Sequence, residues 1–115
     1  MALLSEYRFG QVKVDGATYF RDLIVCGEEV LCPWVRREGH RLLPEDLSFV
    51  VRLTPRVLVV GTGAAGRLRV PESTIEWATR RGISLVVCPT GEAVLEFNDR
   101  AARGDKVGAC LHLTC

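Results

Sequence analysis

Apolar and polar positions follow two different periods along this chain, and the changeover divides it into a strand-rich part and a helix-containing part. Phe9-Gly10-Gln11-Val12-Lys13-Val14-Asp15-Gly16 alternates every second residue and closes on Asp-Gly, the pattern of a strand entering a tight turn. Ala17 to Val25 and Val30 to Val35 are apolar-rich runs flanking Cys26-Gly27-Glu28-Glu29, which reads as a hairpin loop. A hairpin pivoting on Glu29 sets Cys26 opposite Cys32. Opposed residues bring their Cβ atoms within about 4.5–5.5 Å, close to disulfide reach. A change of register by one residue removes that pairing.

Beyond residue 40 the period lengthens. Leu43-Pro44-Glu45-Asp46-Leu47 opens a helix, with proline in the first turn and two acids complementing the helix dipole. Thr54-Pro55 ends it. Val57-Leu58-Val59-Val60 is a continuous apolar run stopped by glycine, as in a strand buried on both faces. Leu68-Arg69-Val70 reads as a short extended piece. Pro71 to Gly82 forms a second helix with Ile75, Ala78 and Thr79 on its inner stripe and Trp77 off it. Ile83 to Cys88 is a second buried strand. Thr90 caps a third helix, Gly91 to Arg103, whose inner stripe is Ala93, Phe97 and Ala101, with Gly104 at its end. The closing run, Lys106 to Cys115, places Gly108, Cys110, His112 and Thr114 on one strand face. Helices alternating with buried strands predict an α/β class with parallel pairing. Residues 1–115 read as a single domain, 1–40 β-rich and 41–115 α/β.

Composition narrows the function. The chain has 115 residues, 15 of them basic and 14 acidic, and the basic residues form no run, which argues against nucleic acid. The first residues lack a signal-peptide pattern, and no apolar stretch approaches the roughly 20 residues that span a bilayer. A soluble, cytoplasmic protein with no membrane partner is expected. The five cysteines are odd in number and irregularly spaced; in a reducing compartment they read as thiols buried as small hydrophobes.

Three places carry candidate chemistry. Gly61-Thr62-Gly63-Ala64-Ala65-Gly66 matches G-x-G-x-x-G after a buried strand. No helix starts inside it and no acid closes the next strand, so a dinucleotide site is not expected. Two readings stay open: exposed amides at Gly61 to Gly63 joining the Thr90 helix end to hold a small anion, aided by Arg67 or Arg69, or a plain tight turn. His112 is the chain's candidate acid or base, or a structural histidine whose replacement perturbs stability. No acid lies on its strand face, and His40 is remote in sequence, so no metal is expected. Trp34, with Arg36 near it, is a candidate protein-binding anchor, or a core residue. Asn98 is a surface residue or a polar group facing the Gly61–Gly63 crevice.

Tyr7-x-Phe9-Gly10, Val14-Asp15-Gly16-x-x-Tyr19, Asp22-Leu23-Ile24-Val25, Trp34, Asp46-Leu47, Val60-Gly61-Thr62-Gly63, Thr90-x-x-Ala93, Phe97-Asn98 and His112-x-Thr114-Cys115 occur in this order. The set resembles the small Mth-type domain of unknown function found in the adipogenesis-associated Mth-type domain-containing protein. The same family includes a mitochondrial respiratory complex I assembly factor. The resemblance spans essentially the whole chain. It implies a single three-layer β+α/β/α domain with a mixed central sheet, an N-terminal hairpin region and about three helices. It implies assembly or regulatory roles and no settled chemistry; no cofactor is expected. Its recurring polar positions are Asp22, Trp34, Thr62, Thr90, Asn98 and His112. A mitochondrial address is not expected, since the chain starts at the domain.

Three functions follow as expectations. The first is a non-enzymatic binding or assembly module for a protein partner, monomeric or homodimeric. The second is a small-anion or metabolite binder or enzyme using Gly61, Thr62, Gly63, Thr90, Asn98 and His112. The third is a thiol redox protein acting through Cys26 and Cys32, or through Cys110 and Cys115.

Overall fold

The computed structural model describes residues 2–115. Three short strands, β1 (Leu4–Arg8), β2 (Gln11–Val14) and β3 (Ala17–Tyr19), form an antiparallel sheet in that order. The Asp-Gly signal holds. Asp15 and Gly16 both take positive φ, 49° and 86°, and Val14 pairs with Ala17 across a two-residue turn.

A second, five-stranded sheet is built from β4 (Leu23–Cys26), β5 (Glu29–Leu31), β6 (Val57–Gly61), β7 (Ser84–Cys88) and β8 (Val107–Leu111), in the order β5-β4-β8-β6-β7. Strand β6 runs parallel to both β7 and β8, and β4 runs antiparallel to β8. The mixed sheet and the parallel α/β half therefore stand as expected. A 3-10 turn (Pro44–Leu47) leads into α1 (Ser48–Leu53); α2 (Glu72–Arg80) and α3 (Thr90–Ala102) follow.

Alternation along the strands sorts the core into two halves. Leu23, Val25, Val59, Val107, Ala109 and Leu111 face α3 and the three-stranded sheet, where they meet Leu4, Val12, Val14, Ala93 and Phe97. Ile24, Leu58, Val60 and Cys110 face the other way, onto Trp34, Leu42, Leu47, Val50, Leu68 and Ala78. The result is three layers: small sheet plus α3, central sheet, α1 plus α2. The β-rich first part is no separate layer, because β4 and β5 pair into the central sheet.

Several local expectations need correction. The run Ala17 to Val25 is two strands in two sheets, broken at Phe20–Asp22, where the chain passes from one sheet to the other. The hairpin turns on Gly27-Glu28, so Cys26 pairs with Glu29, and Cys32 lies past the end of β5. The Cys26–Cys32 pairing is therefore absent, and all five cysteines are free. On α2 the buried positions are Thr74 and Ala78, with Trp77 packed against the core, while Thr79 is exposed. The Thr74 hydroxyl donates to the Leu42 carbonyl at 2.8 Å, and that bond rotates the helix. Strand β7 lies at the sheet edge and is half-exposed; its apolar sequence suits the parallel neighbour rather than full burial. Thr90 is the first helical residue, not a side-chain cap, and Pro89 precedes the helix.

Asn98 does not face the glycine crevice. Its side-chain oxygen accepts from the Leu4 amide at 2.9 Å and its Nδ2 donates to the Leu4 carbonyl at 2.6 Å. It thus acts as a strand partner on the outer edge of β1 and ties the small sheet to α3. Asn98→Ala leaves both Leu4 groups unpaired and is expected to cost about 1–3 kcal/mol in urea unfolding. Hydrogen exchange should quicken at β1 and leave β6 unaffected.

Candidate functional site

The segment after β8 fills the space that the sequence left open for a ligand. The His112 amide donates to the Gly61 carbonyl at 3.0 Å. The Ala64 amide donates to the Thr114 carbonyl at 2.6 Å, and the Ala65 and Arg67 amides donate to the Cys115 carbonyl at 3.2 and 3.0 Å. Thr90 closes the arrangement: its hydroxyl donates to the His112 carbonyl at 2.5 Å and accepts from the Gly63 amide at 2.8 Å. Thr62, also buried, donates through its hydroxyl to the Cys88 carbonyl at 3.1 Å. The glycines follow from this packing. Gly63 has φ 103°, and a Cβ there would stand 2.2 Å from the Cys115 carbonyl carbon. A Cβ on Gly61 would stand 2.9 Å from the Thr90 hydroxyl. Gly61, Thr62, Gly63, Thr90 and His112 are indeed brought together, but as a closed joint: the loop amides and the Thr90 hydroxyl already bind the chain's own backbone. The open anion crevice at Gly61–Gly63 and Thr90 is corrected accordingly.

A buried polar cluster lies against this joint. Asp22 sits in the link between β3 and β4. One carboxylate oxygen accepts from the Leu113 amide at 2.8 Å. The other accepts from His112 Nδ1 at 2.7 Å and from Arg36 Nη2 at 2.9 Å. Arg36 also donates to the Gly39 carbonyl through Nε and Nη2, at 3.0 and 2.8 Å. With Nδ1 carrying its proton toward Asp22, Nε2 is the free position of the His112 ring. That atom and Arg36 Nη1 are buried without a partner. Burial alone would raise the Asp22 carboxyl. The bonds from His112, Leu113 and Arg36 outweigh it and hold the group below the ordinary carboxylate range. The acid missing from the His112 strand face thus arrives from residue 22, through the pairing of Leu23 with Leu111. His40 also comes near, its ring centroid 5.3 Å from that of His112 in an edge contact, although the two are far apart in sequence.

The anchor reading of Trp34 and Arg36 fails. Trp34 is 4% exposed. Its indole N–H donates to the Asp46 carbonyl at 2.9 Å, and the Arg36 guanidinium stacks 4.6 Å from its ring centroid. Both side chains are committed to the interior. Trp34 brings Arg36 to Asp22, a partnership with no signal in local spacing. Four of the thiols offer little nucleophilic character. Burial pushes Cys26, Cys32 and Cys88 up, and Cys110, fully enclosed, well above the ordinary thiol range.

On the surface above the joint lies an open cleft of about 1040 Å³, bordered by Glu38, His40, Arg41, Arg67 and Arg69, with Ala65 and Gly66 also lining it. Among the described residues no three His, Cys, Asp or Glu side chains converge as a metal set, and no helix is long and apolar enough to cross a membrane.

A family model described as "Protein of unknown function (DUF498/DUF598)" matches residues 4–112. The chain belongs to that family. Solved structures share the DUF498/DUF598 architecture across nearly their full lengths. An outer membrane protein of Bartonella henselae is 25% identical, with 99% of this chain and 96% of that chain covered and a TM-score of 0.84. A conserved hypothetical protein of Pyrococcus horikoshii OT3 is 27% identical, covering 97% and 98%, at 0.79. A Mth938-like domain of Bordetella pertussis is 17% identical, covering 97% and 85%, also at 0.79, and shares the fold alone. The Mth-type resemblance and the three-layer fold therefore stand. The function of the family is not established.

Asp22→Ala strands a buried Arg36 and is expected to cost about 3–5 kcal/mol in chemical unfolding. The pH dependence has a definite sign. The Asp22 pKa is lower folded than unfolded, so its stabilisation is complete above the unfolded value of about 3.9. It is lost as pH falls through the folded value, where the unfolded chain binds more protons. In Asp22→Asn that acid limb should flatten, as read from thermal unfolding between about pH 2 and 5.

Proposed function

We propose that this DUF498/DUF598 chain is a binding module and not an enzyme, and that its ligand face is the cleft bordered by His40, Arg41, Arg67 and Arg69. The observation that carries the reading is the sealing of the Asp22–His112 pair. A general acid or base must reach the proton it moves, and the His112 side chain is 7% exposed, beneath His40 and against Gly63. Asp22, Thr90 and the glycine loop hold the 112–115 segment, so they act as scaffold for the surface above. The four raised thiols, Cys26, Cys32, Cys88 and Cys110, weigh against a redox role. A protein partner, with neither nucleic acid nor membrane involved and the chain monomeric or dimeric, belongs to the same reading. A cytoplasmic address does too, supported by five free cysteines.

Diethyl pyrocarbonate, which acylates accessible imidazoles, separates binding module from enzyme. In the folded protein near neutral pH, peptide mapping should find His40 modified and His112 protected, with His112 reacting only after denaturation. Modification of His112 at a rate comparable to His40 would show a reachable base and overturn the non-enzymatic reading.

A further inference from the structure

The cleft carries a charge arrangement that the fold leaves unbalanced. Leu68 is buried while Arg67 and Arg69 on either side are exposed, so the two arginines project from the same side of an extended stretch. A parallel bridge sets Arg41 beside Arg69, fixed by the Arg69 amide donating to the His40 carbonyl at 2.9 Å and the Leu42 amide donating to the Arg69 carbonyl at 2.8 Å. Like charges side by side on neighbouring extended segments repel. The cleft's one acid, Glu38, stands 3.8 Å from Arg41, and both are about half-exposed. Among the described residues the Arg67 and Arg69 side chains have no acceptor, as is also true of Arg8, Arg21, Arg56, Arg80 and Arg81; what distinguishes them is that they line one cleft together with Arg41.

From this we infer that the cleft is a site for a multiply charged oxyanion, a phosphate ester or a polycarboxylate of small-metabolite size. The inference deepens the binding-module reading and rests on it. Guanidinium forks match carboxylate and phosphoryl oxygens two at a time, and a ligand with two or more negative charges cancels the repulsion among the three arginines. Ala65 and Gly66 add little side-chain bulk to the wall beside Arg67, which leaves room for a ligand; the amides there are already bound within the chain, so recognition falls to the guanidinium groups. The volume of about 1040 Å³ exceeds what a lone phosphate fills and lies just above the range of roughly 300–1,000 Å³ for small-molecule sites. Glu38 on the rim is placed to accept a hydroxyl of the ligand body and to repel a purely anionic chain.

The test is an amide-shift titration of isotope-labelled protein at low ionic strength with pyrophosphate and with citrate, against chloride at matched ionic strength. Saturable shifts at residues 38–41 and 65–71, absent with chloride, are the expected result. Arg67→Gln and Arg69→Gln are surface changes that leave the fold intact, and each should weaken binding about tenfold, the worth of one charge-assisted hydrogen bond. Binding of pyrophosphate alone supports a phosphate ester as ligand; binding of citrate alone supports a polycarboxylate; binding of both supports selection by charge. Linear, unsaturable shifts overturn the inference. So do equal effects of chloride, saturation at another face, or arginine variants that bind like the parent. His112 protection is read without any anion, so the oxyanion inference and the non-enzymatic reading fail separately.

Discussion

The carboxylate of Asp22 is the constraint on which the polar interior depends. It is one group with three donors, drawn from two places in the chain: the amide of Leu113 and the ring of His112 beside it, and the guanidinium of Arg36. Each donor needs the carboxylate to justify its own burial. A buried arginine without a counter-charge is among the costliest features a domain can carry. The link between the two sheets, the loop after β5 and the segment after β8 are thereby held to one geometry. Thr90 makes a second fixed point of the same kind, since its hydroxyl joins α3 to both the glycine loop and the terminal segment.

These two fixed points change what the polar residues mean. A histidine beside an aspartate, a glycine loop after a parallel strand and a threonine at the start of a helix are each familiar from catalytic and phosphate-binding sites. Here they meet in one place and satisfy one another. The partnerless His112 Nε2 and Arg36 Nη1 are the remainder of that closure. What the joint leaves available to another molecule is the rim above it, where arginine side chains stand without partners.

Much of the fold was legible in local pattern. The Asp-Gly turn, the buried β6 run, the Ala93-Phe97-Ala101 stripe and the alternation of helices with parallel strands all follow from periods of two and 3.6 and from turn chemistry. Most of the failures share a cause: they turn on a partner distant in sequence. The face that α2 buries is set by Thr74 bonding to Leu42, thirty-two residues away. Burial of Trp34 depends on an acceptor at Asp46, and Asn98 reads as a surface residue until β1 lies beside it. The hairpin register shifted because Gly27-Glu28, not Glu29, makes the turn, and one residue sufficed to dissolve the apparent cysteine pair. For the site, the residues were named in advance, but whether the space among them was open or filled depended on where residues 112–115 run, which no spacing rule encodes.

The strand order β5-β4-β8-β6-β7 has a consequence for how the protein is made. Strand β8, the last to be synthesised, is the middle strand of the sheet, with β4 on one side and β6 on the other. While the ribosome still holds residues 107–113, the nascent chain has two half-sheets with nothing to join them, and Asp22 and Arg36 have no His112 to meet. Such a topology makes closure late: the domain closes in one long-range step once β8 is available, and a chain that has not yet reached β8 exposes the inner edges of β4 and β6 together. Unpaired inner edges of that kind are the places where strands pair wrongly, and the arrival of β8 hides both at once.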